Sequence, residues 1–272
     1  MFFIGSSSTY PYNFKVAGNG NAEASTGFGA IRTDANQTTF TGDVALIGDA
    51  RLFGSAVYTG TISNECATAK TLTFGGTYAT GAWTINMDGR LTDGNAPLSL
   101  TLDRSNATLN FGGEDHCISG ALTTLAGTVN VTAGRTQVGD ISNATAITVA
   151  DGATLLTSGI GTGAGSYTFD AGSALGFACV MGETDPSLPH LAAQTLTFAP
   201  TAKITVTGIE LIDKDNRFHH VPIFTFPSAA ITGVPELTEP LMNAWGIARQ
   251  DNGDNTSTLF LTKRTGTIII LR

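Results

Sequence analysis

Short runs alternating apolar and polar residues, each closed by a turn of small residues, recur along the chain. The clearest is Tyr167-Thr168-Phe169-Asp170-Ala171-Gly172-Ser173-Ala174-Leu175-Gly176, two such runs hinged on one turn. The same arrangement stands at Ile147-Thr-Val149-Ala-Asp-Gly-Ala153-Thr-Leu155, at Leu196-Thr-Phe198-Ala-Pro-Thr-Ala202-Lys-Ile204-Thr-Val206 and at Val44-Ala-Leu46-Ile-Gly-Asp-Ala50-Arg-Leu52. A period of two marks a strand with one face buried. When the four stretches are superposed, the apolar positions, the turn and the Ala or Ser after it coincide. Such self-similarity marks a repeat architecture, in which stacked neighbours bury a face that no unit can bury alone.

Further short alternating runs predict strands at 38–41, 44–47, 51–53, 56–58, 71–74 and 83–87, then at 98–103, 107–111, 121–125 and 127–132. No helix-length periodic segment interrupts them. The copies starting at Ile147 and Tyr167 are offset by about one solenoid repeat, which favours a coil over a sandwich. The expected architecture is therefore an all-β, right-handed parallel β-helix (a β-solenoid) with a C-terminal cap. Its expected divisions are a loosely ordered start or cap over 1–35, a solenoid over 36–212, and terminal turns with a cap over 213–272. Pro186 and Pro189 mark 181–191 as an excursion. The apolar tail Ile268-Ile269-Ile270-Leu271 requires cover, because an exposed β-prone segment templates aggregation.

Composition narrows the classes of partner. Hydrophobic residues make up 42% of the 272, enough for a core, while charged residues are only 13%, about half the usual share. Thr, Ser, Asn and Gly replace them. The net charge of −8 and the scattered Lys and Arg argue against nucleic acid, whose phosphates reward a basic stripe, and against a polybasic membrane patch. No run approaches a membrane span. Cys66, Cys117 and Cys179 are widely spaced, so they suit one long-range disulfide or three buried thiols better than a zinc site. Met1-Phe-Phe-Ile-Gly is too short for the core of a signal peptide. The surface-protein composition favours an exported chain whose signal has been removed.

Several stretches resemble the autotransporter-associated β-strand repeats of bacterial surface proteins. They are Gly27-Phe-Gly-Ala-Ile-Arg32, Asn36-Gln-Thr-Thr-Phe-Thr-Gly42, Val44-Ala-Leu-Ile-Gly-Asp49, Thr59-Gly-Thr-Ile-Ser63, Ile141-Ser-Asn-Ala-Thr-Ala-Ile-Thr-Val-Ala-Asp-Gly-Ala-Thr-Leu155 and Phe169-Asp-Ala-Gly-Ser-Ala-Leu175. The ending, Phe224-Thr-Phe through Thr258-Leu-Phe-Leu-Thr262, looks like the terminal turns of such passenger domains. The resemblance implies a right-handed parallel β-helix, export to the bacterial surface or beyond, and an adhesive or scaffolding role, with no cofactor.

Candidate chemistry is sparse. Phe169-Asp170-Ala171-Gly172-Ser173 approximates the catalytic loop of aspartic peptidases, and Ala150-Asp151-Gly152 distantly echoes their second loop. That chemistry needs two carboxylates sharing one proton. Ala171 stands where Thr or Ser is expected, however, and the internal superposition puts Asp170 on Ile47, Ala150 and Ala199, a variable turn position. A turn Asp bonding nearby N–H groups is the ordinary reading. Glu114-Asp115-His116-Cys117 gathers four potential metal ligands, but neighbours on a strand face opposite ways, which favours a turn with a buried Cys. Asp213 and Asp215 beside His219-His220, and Asp251-Asn-Gly-Asp-Asn255, are likewise turns before they are metal sites. Tyr58, Trp83 and Trp245 could stack on a glycan, or fill a core. Asp88, Asp93 and Asp103 would serve a glycan hydrolase if two of them faced each other at the right separation. The expected function is an exported scaffold that is adhesive, glycan-contacting or a spacer. The alternative is a secreted hydrolase, either an aspartic-type peptidase acting on host or mucin-type glycoproteins through Asp170 and Asp151 or a glycan-active β-helix enzyme.

Overall fold

A computed structural model of the chain describes residues 2–4, 8–21, 27–33, 37–75, 82–141, 144–157, 161–178, 180–181, 186–187, 191–209, 220–239 and 241–264. Its regular structure is nearly all strand, and most of these strands join in three parallel ladders that the chain visits in one recurring order. The first ladder stacks Phe2–Ile4, Ile31–Thr33, the end of Val44–Phe53, Lys70–Gly75, the start of Leu98–Phe111 and the middle of His116–Val131. The second runs through Thr9–Tyr10, Thr38–Phe40, Ala56–Tyr58, Trp83–Met87, the ends of those last two long strands, then Ala146–Val149, Gly161–Phe169, Leu191–Phe198 and Ile231–Thr232. The third begins at Phe14–Gly18 and the start of Val44–Phe53, then takes Ile62–Asn64, Leu91–Gly94, the start of His116–Val131, Arg135–Asp140, Thr154–Thr157, Ala174–Ala178, Lys203–Thr207 and Glu236–Leu237.

Because strand side chains alternate between faces, in-register stacking turns each sequence alternation into a continuous inward column. In the second ladder that column reads Tyr10, Phe40, Tyr58, Met87, Phe111, Val131, Val149, Phe169 and Phe198. Its rings stack face on face where they meet: Phe40 on Tyr58 at 5.0 Å and 9°, Phe169 on Phe198 at 5.0 Å and 14°. Each large side chain so buried contributes about 1.5–3 kcal/mol. Leu46, Leu52, Val149, Leu155, Phe169, Leu175, Phe198 and Ile204, the stacking positions named from the superposition, are all buried.

The structure departs from the sequence expectations in several places. Residues 44–53, 98–111 and 116–131 each form one strand where two were expected. Residues 44–53 and 98–111 each bend from one ladder into the next, and 116–131 passes through all three, turning at Gly127, whose φ is 96°. The Val44 copy of the repeat stacks its first half in the third ladder and its second half in the first, whereas the Ile147, Tyr167 and Leu196 copies run from the second to the third. The pattern therefore marks two different corners of the coil. Within 1–35, strands Phe2–Ile4, Thr9–Tyr10, Phe14–Gly18 and Ile31–Thr33 already lie in the ladders. The 181–191 region holds a separate antiparallel pair, Val180–Met181 with Pro186–Ser187. At the far end the direction of pairing changes: His220–Pro227, Thr256–Lys263 and Trp245–Asp251 form an antiparallel sheet.

The buried Cys expected at 114–117 is the wrong residue. Cys117 is exposed, and His116 beside it is 1% exposed, since a shift of one position on a strand exchanges inside for outside. Cys66 is half-buried and free; Cys179 lies outside the described residues.

Candidate functional site

Asp151 and Asp170 sit in a stack of three like turns, 150–153, 170–173 and 199–202. Each closes with the N–H of its fourth residue on the carbonyl of its first, at 3.0 to 3.1 Å. Each puts its third residue at positive φ: Gly152 at 72°, Gly172 at 73° and Thr201 at 66°. That conformation at the third position defines a type II turn, and Pro200 at the second position of the last turn suits it. Asp170 stacks on Ala150 and under Ala199, through Asp170 N–H on the Val149 carbonyl and Ala199 N–H on the Phe169 carbonyl. Asp151 is one place further along its own turn. It is exposed, and its carboxylate reaches toward Gly172 in the next layer, where a Cβ would collide with it. The two carboxyl groups thus sit at different turn positions of adjacent layers, on an open edge of the coil.

The other sequence candidates separate in space. Tyr58 is a core residue stacked on Phe40, its hydroxyl pKa driven up by burial. Trp83 is buried between Phe53, at 4.3 Å between ring centroids, and the Arg104 guanidinium, 3.7 Å above the ring. Neither offers a free ring face to a sugar, so the glycan-stacking reading of both gives way to packing. Trp245 is buried as well. Glu114 is exposed in the turn while His116 points inward, and no group of three His, Cys, Asp or Glu among the described residues is arranged to hold a metal. Asp213 and Asp215 lie outside the described residues. The 251–255 loop is a hairpin turn whose Asp251 and Asp254 accept N–H groups of Gly253 and Thr256. Asp88, Asp93 and Asp103 fall at three different ladders. Asp103 is paired with Arg51 at 3.1 Å, and Asp93 accepts the N–H groups of Leu98 and Ser119.

One extended feature emerges only from the stacking. The outward column of the second ladder reads Thr39, Val57, Asn86, Asn110, Asn130, Thr148, Thr168, Thr197 and Thr232. Beside it runs a second outward column, Thr84, Thr108, Thr128, Ala146, Ser166 and Thr195. Neither carries a charge, whereas the third ladder's outward side holds Lys15, Glu65, Arg135 and Lys203. Asn86, Asn110 and Asn130 form an amide chain, each Nδ2 donating to the Oδ1 of the layer before at 2.8 and 2.9 Å. The two columns present hydroxyl and amide groups about 7 Å apart along a strand and about 4.8 Å apart between layers. Such groups exchange hydrogen bonds with neutral hydroxylated ligands. Sequence reading registered the abundance of Thr, but the alignment of columns required the register.

Comparison of the chain with protein families, with curated proteins and with solved structures found no match.

Proposed function

We propose that the chain is an exported, right-handed parallel β-helix of a bacterial surface protein, acting as an adhesive scaffold that contacts neutral glycans. The observation carrying this reading is the charge-free double column along the second ladder, Thr, Ser and Asn at every layer position but Val57 and Ala146. An uncharged face of small hydrogen-bonding groups suits a neutral polyol and gives nothing to a polyanion. Repetition matters because each hydroxyl contact with a flat, wet surface is weak, and many contacts at a fixed spacing multiply. The resemblance to autotransporter-associated repeats supports both the export and the role. The test is binding to immobilised neutral polysaccharides by wild type and by a Thr148→Lys/Thr168→Lys double variant. Expected are retention of the wild type, at least a tenfold loss in the variant and matching thermal melts. Wild-type protein that passes every neutral glycan unretained would end this reading.

The reach of the Asp151 carboxylate toward the Asp170 turn supports a second reading, a secreted hydrolase with these two groups as acid and base. Incubation with unfolded protein and with a mucin-type glycoprotein, at acid and neutral pH, separates the readings. Turnover by wild type that disappears in Asp170→Asn would favour the hydrolase.

A further inference from the structure

The third ladder's inward column is apolar except near its middle. Leu91 is followed by His116, then Thr136, then Leu155 and Leu175. His116 and Thr136 are register partners in adjacent layers, each 1% exposed. The imidazole lies 5.1 Å from the Phe111 ring between centroids, and Nε2 meets the Gly112 carbonyl at 3.2 Å. Nδ1 has no partner among the described residues, nor has the Thr136 hydroxyl. Two consecutive polar side chains therefore interrupt the core, each with an unsatisfied atom, a state that is costly when buried.

The charges near this step lie outside it. On the histidine's own turn are the exposed Glu114 and Asp115, and at the end of Trp83–Met87 is the exposed Asp88. From the Leu91–Gly94 side, Arg90 is exposed and Asp93 is engaged by the N–H groups of Leu98 and Ser119. From the Arg135–Asp140 side, Arg135 is exposed and its Nη2 bonds Gln137; Asp140 lies at the far end of that strand. Inside the coil the imidazole meets the Phe111 ring and the Gly112 carbonyl; outside it stands a group of three carboxylates. The connecting turn contains Gly112 and Gly113, the latter at φ 72°.

We propose that His116 is an acid-sensitive latch, neutral and inward at neutral pH, and that its protonation releases the 112–118 segment toward Asp88, Glu114 and Asp115. This inference goes beyond the scaffold reading and does not depend on what the surface binds. Protonation makes both ring nitrogens donors, and an imidazolium in this apolar column would be an unpaired buried charge. Burial lowers the pKa, outweighing the opposing pull of the Gly112 carbonyl and the carboxylates. A group with a depressed folded pKa binds fewer protons folded than unfolded. Its contribution to stability is thus complete above the ordinary value of about 6.5 and is lost as pH falls through the folded pKa.

The test is hydrogen exchange of the full chain at pH 7.5 and 5.5, corrected for intrinsic rates, with His116→Leu and Thr136→Val alongside. Expected in wild type is about a tenfold acceleration at 116–118 and 135–138 on acidification, the factor carried by the one pH unit that separates 5.5 from the ordinary imidazole value of about 6.5. His116→Leu should lose that acceleration, and Thr136→Val, which keeps the imidazole, should retain it. The imidazole NMR titration of His116 supplies a readout independent of folding of the variants. Equal protection at both pH values, or a titration midpoint at or above 6.5, would overturn the proposal.

Discussion

Single residues at the turns are chosen by backbone geometry, and the turn stack separates two effects that usually come together. Gly152 and Gly172 share a positive φ, but a Cβ at Gly152 would meet open space, whereas one at Gly172 would enter the carboxylate of Asp151. Gly152→Ala should therefore lower stability by about 1–2 kcal/mol, the left-handed conformation's cost for an L residue. Gly172→Ala should lower it further, and Asp151→Ala should recover that extra loss. Denaturant midpoints of the three variants check this; equal losses at the two glycines would show that the carboxylate yields freely. Buried polar residues form a similar contrast. Asn64 is fully buried, yet its Nδ2 donates to the carbonyls of Thr68, Ala96 and Pro97 while its Oδ1 accepts from Cys66 N–H. Asn64→Ala should cost roughly 3 kcal/mol, from two donated N–H bonds, one of them shared between carbonyls, and one accepted bond, at about 1 kcal/mol each, as read from urea unfolding. His116, equally deep, has one nitrogen unsatisfied.

At the scale of the element, strands are held by columns inside and by side-chain pins at the corners. Asp43, Asp49, Asp93 and Asp115 each accept a backbone N–H from the next layer, of Thr61, Thr71, Ser119 and Arg135 respectively, at 2.8 to 3.0 Å. The acidity of the chain, read from composition as a solubility device, thus also satisfies donors where ladders change direction. Within a column, Phe169 packs on Phe198 and buries its ring. Phe169→Ala should cost about 3–5 kcal/mol, read as a lowered Tm. An unchanged melt would contradict the stacking. The tyrosine in the same strand shows the same burial: the Tyr167 hydroxyl donates to the Ile141 carbonyl at 3.3 Å, and burial, aided by Asp140, pushes its pKa up to about 12.

At the scale of the molecule, the ladders give each layer contacts mainly with its neighbours, so stability should behave as a sum of layer and interface terms. Damage should stay near its origin. In Phe169→Ala, hydrogen exchange should accelerate within 146–207 while Thr38–Phe40 and Ala56–Tyr58 keep their protection; a uniform loss across the chain would show one cooperative unit instead. The antiparallel strands His220–Pro227, Trp245–Asp251 and Thr256–Lys263 interrupt the parallel stacking at one end. An abrupt change of pairing direction limits the templating of further parallel layers there.

The sequence by itself determined the class of structure, the strand periodicity and the stacking of the 147, 167 and 196 copies, because burial of alternate residues leaves a period of two in any chain. It also pointed to Asp170 as a turn residue, since the superposed copies replace it freely with Ala. Tertiary structure alone decided which positions face each other across layers. Tyr58 and Trp83 became core, Asp88, Asp93 and Asp103 were dispersed to three ladders, and His116 turned inward while Cys117 turned out. The physical reason is common to all of these. Alternation tells that one face is buried, but the facing and the register of a strand depend on partners that lie one layer away, at separations of 18 to 35 residues, which differ with every insertion at a corner.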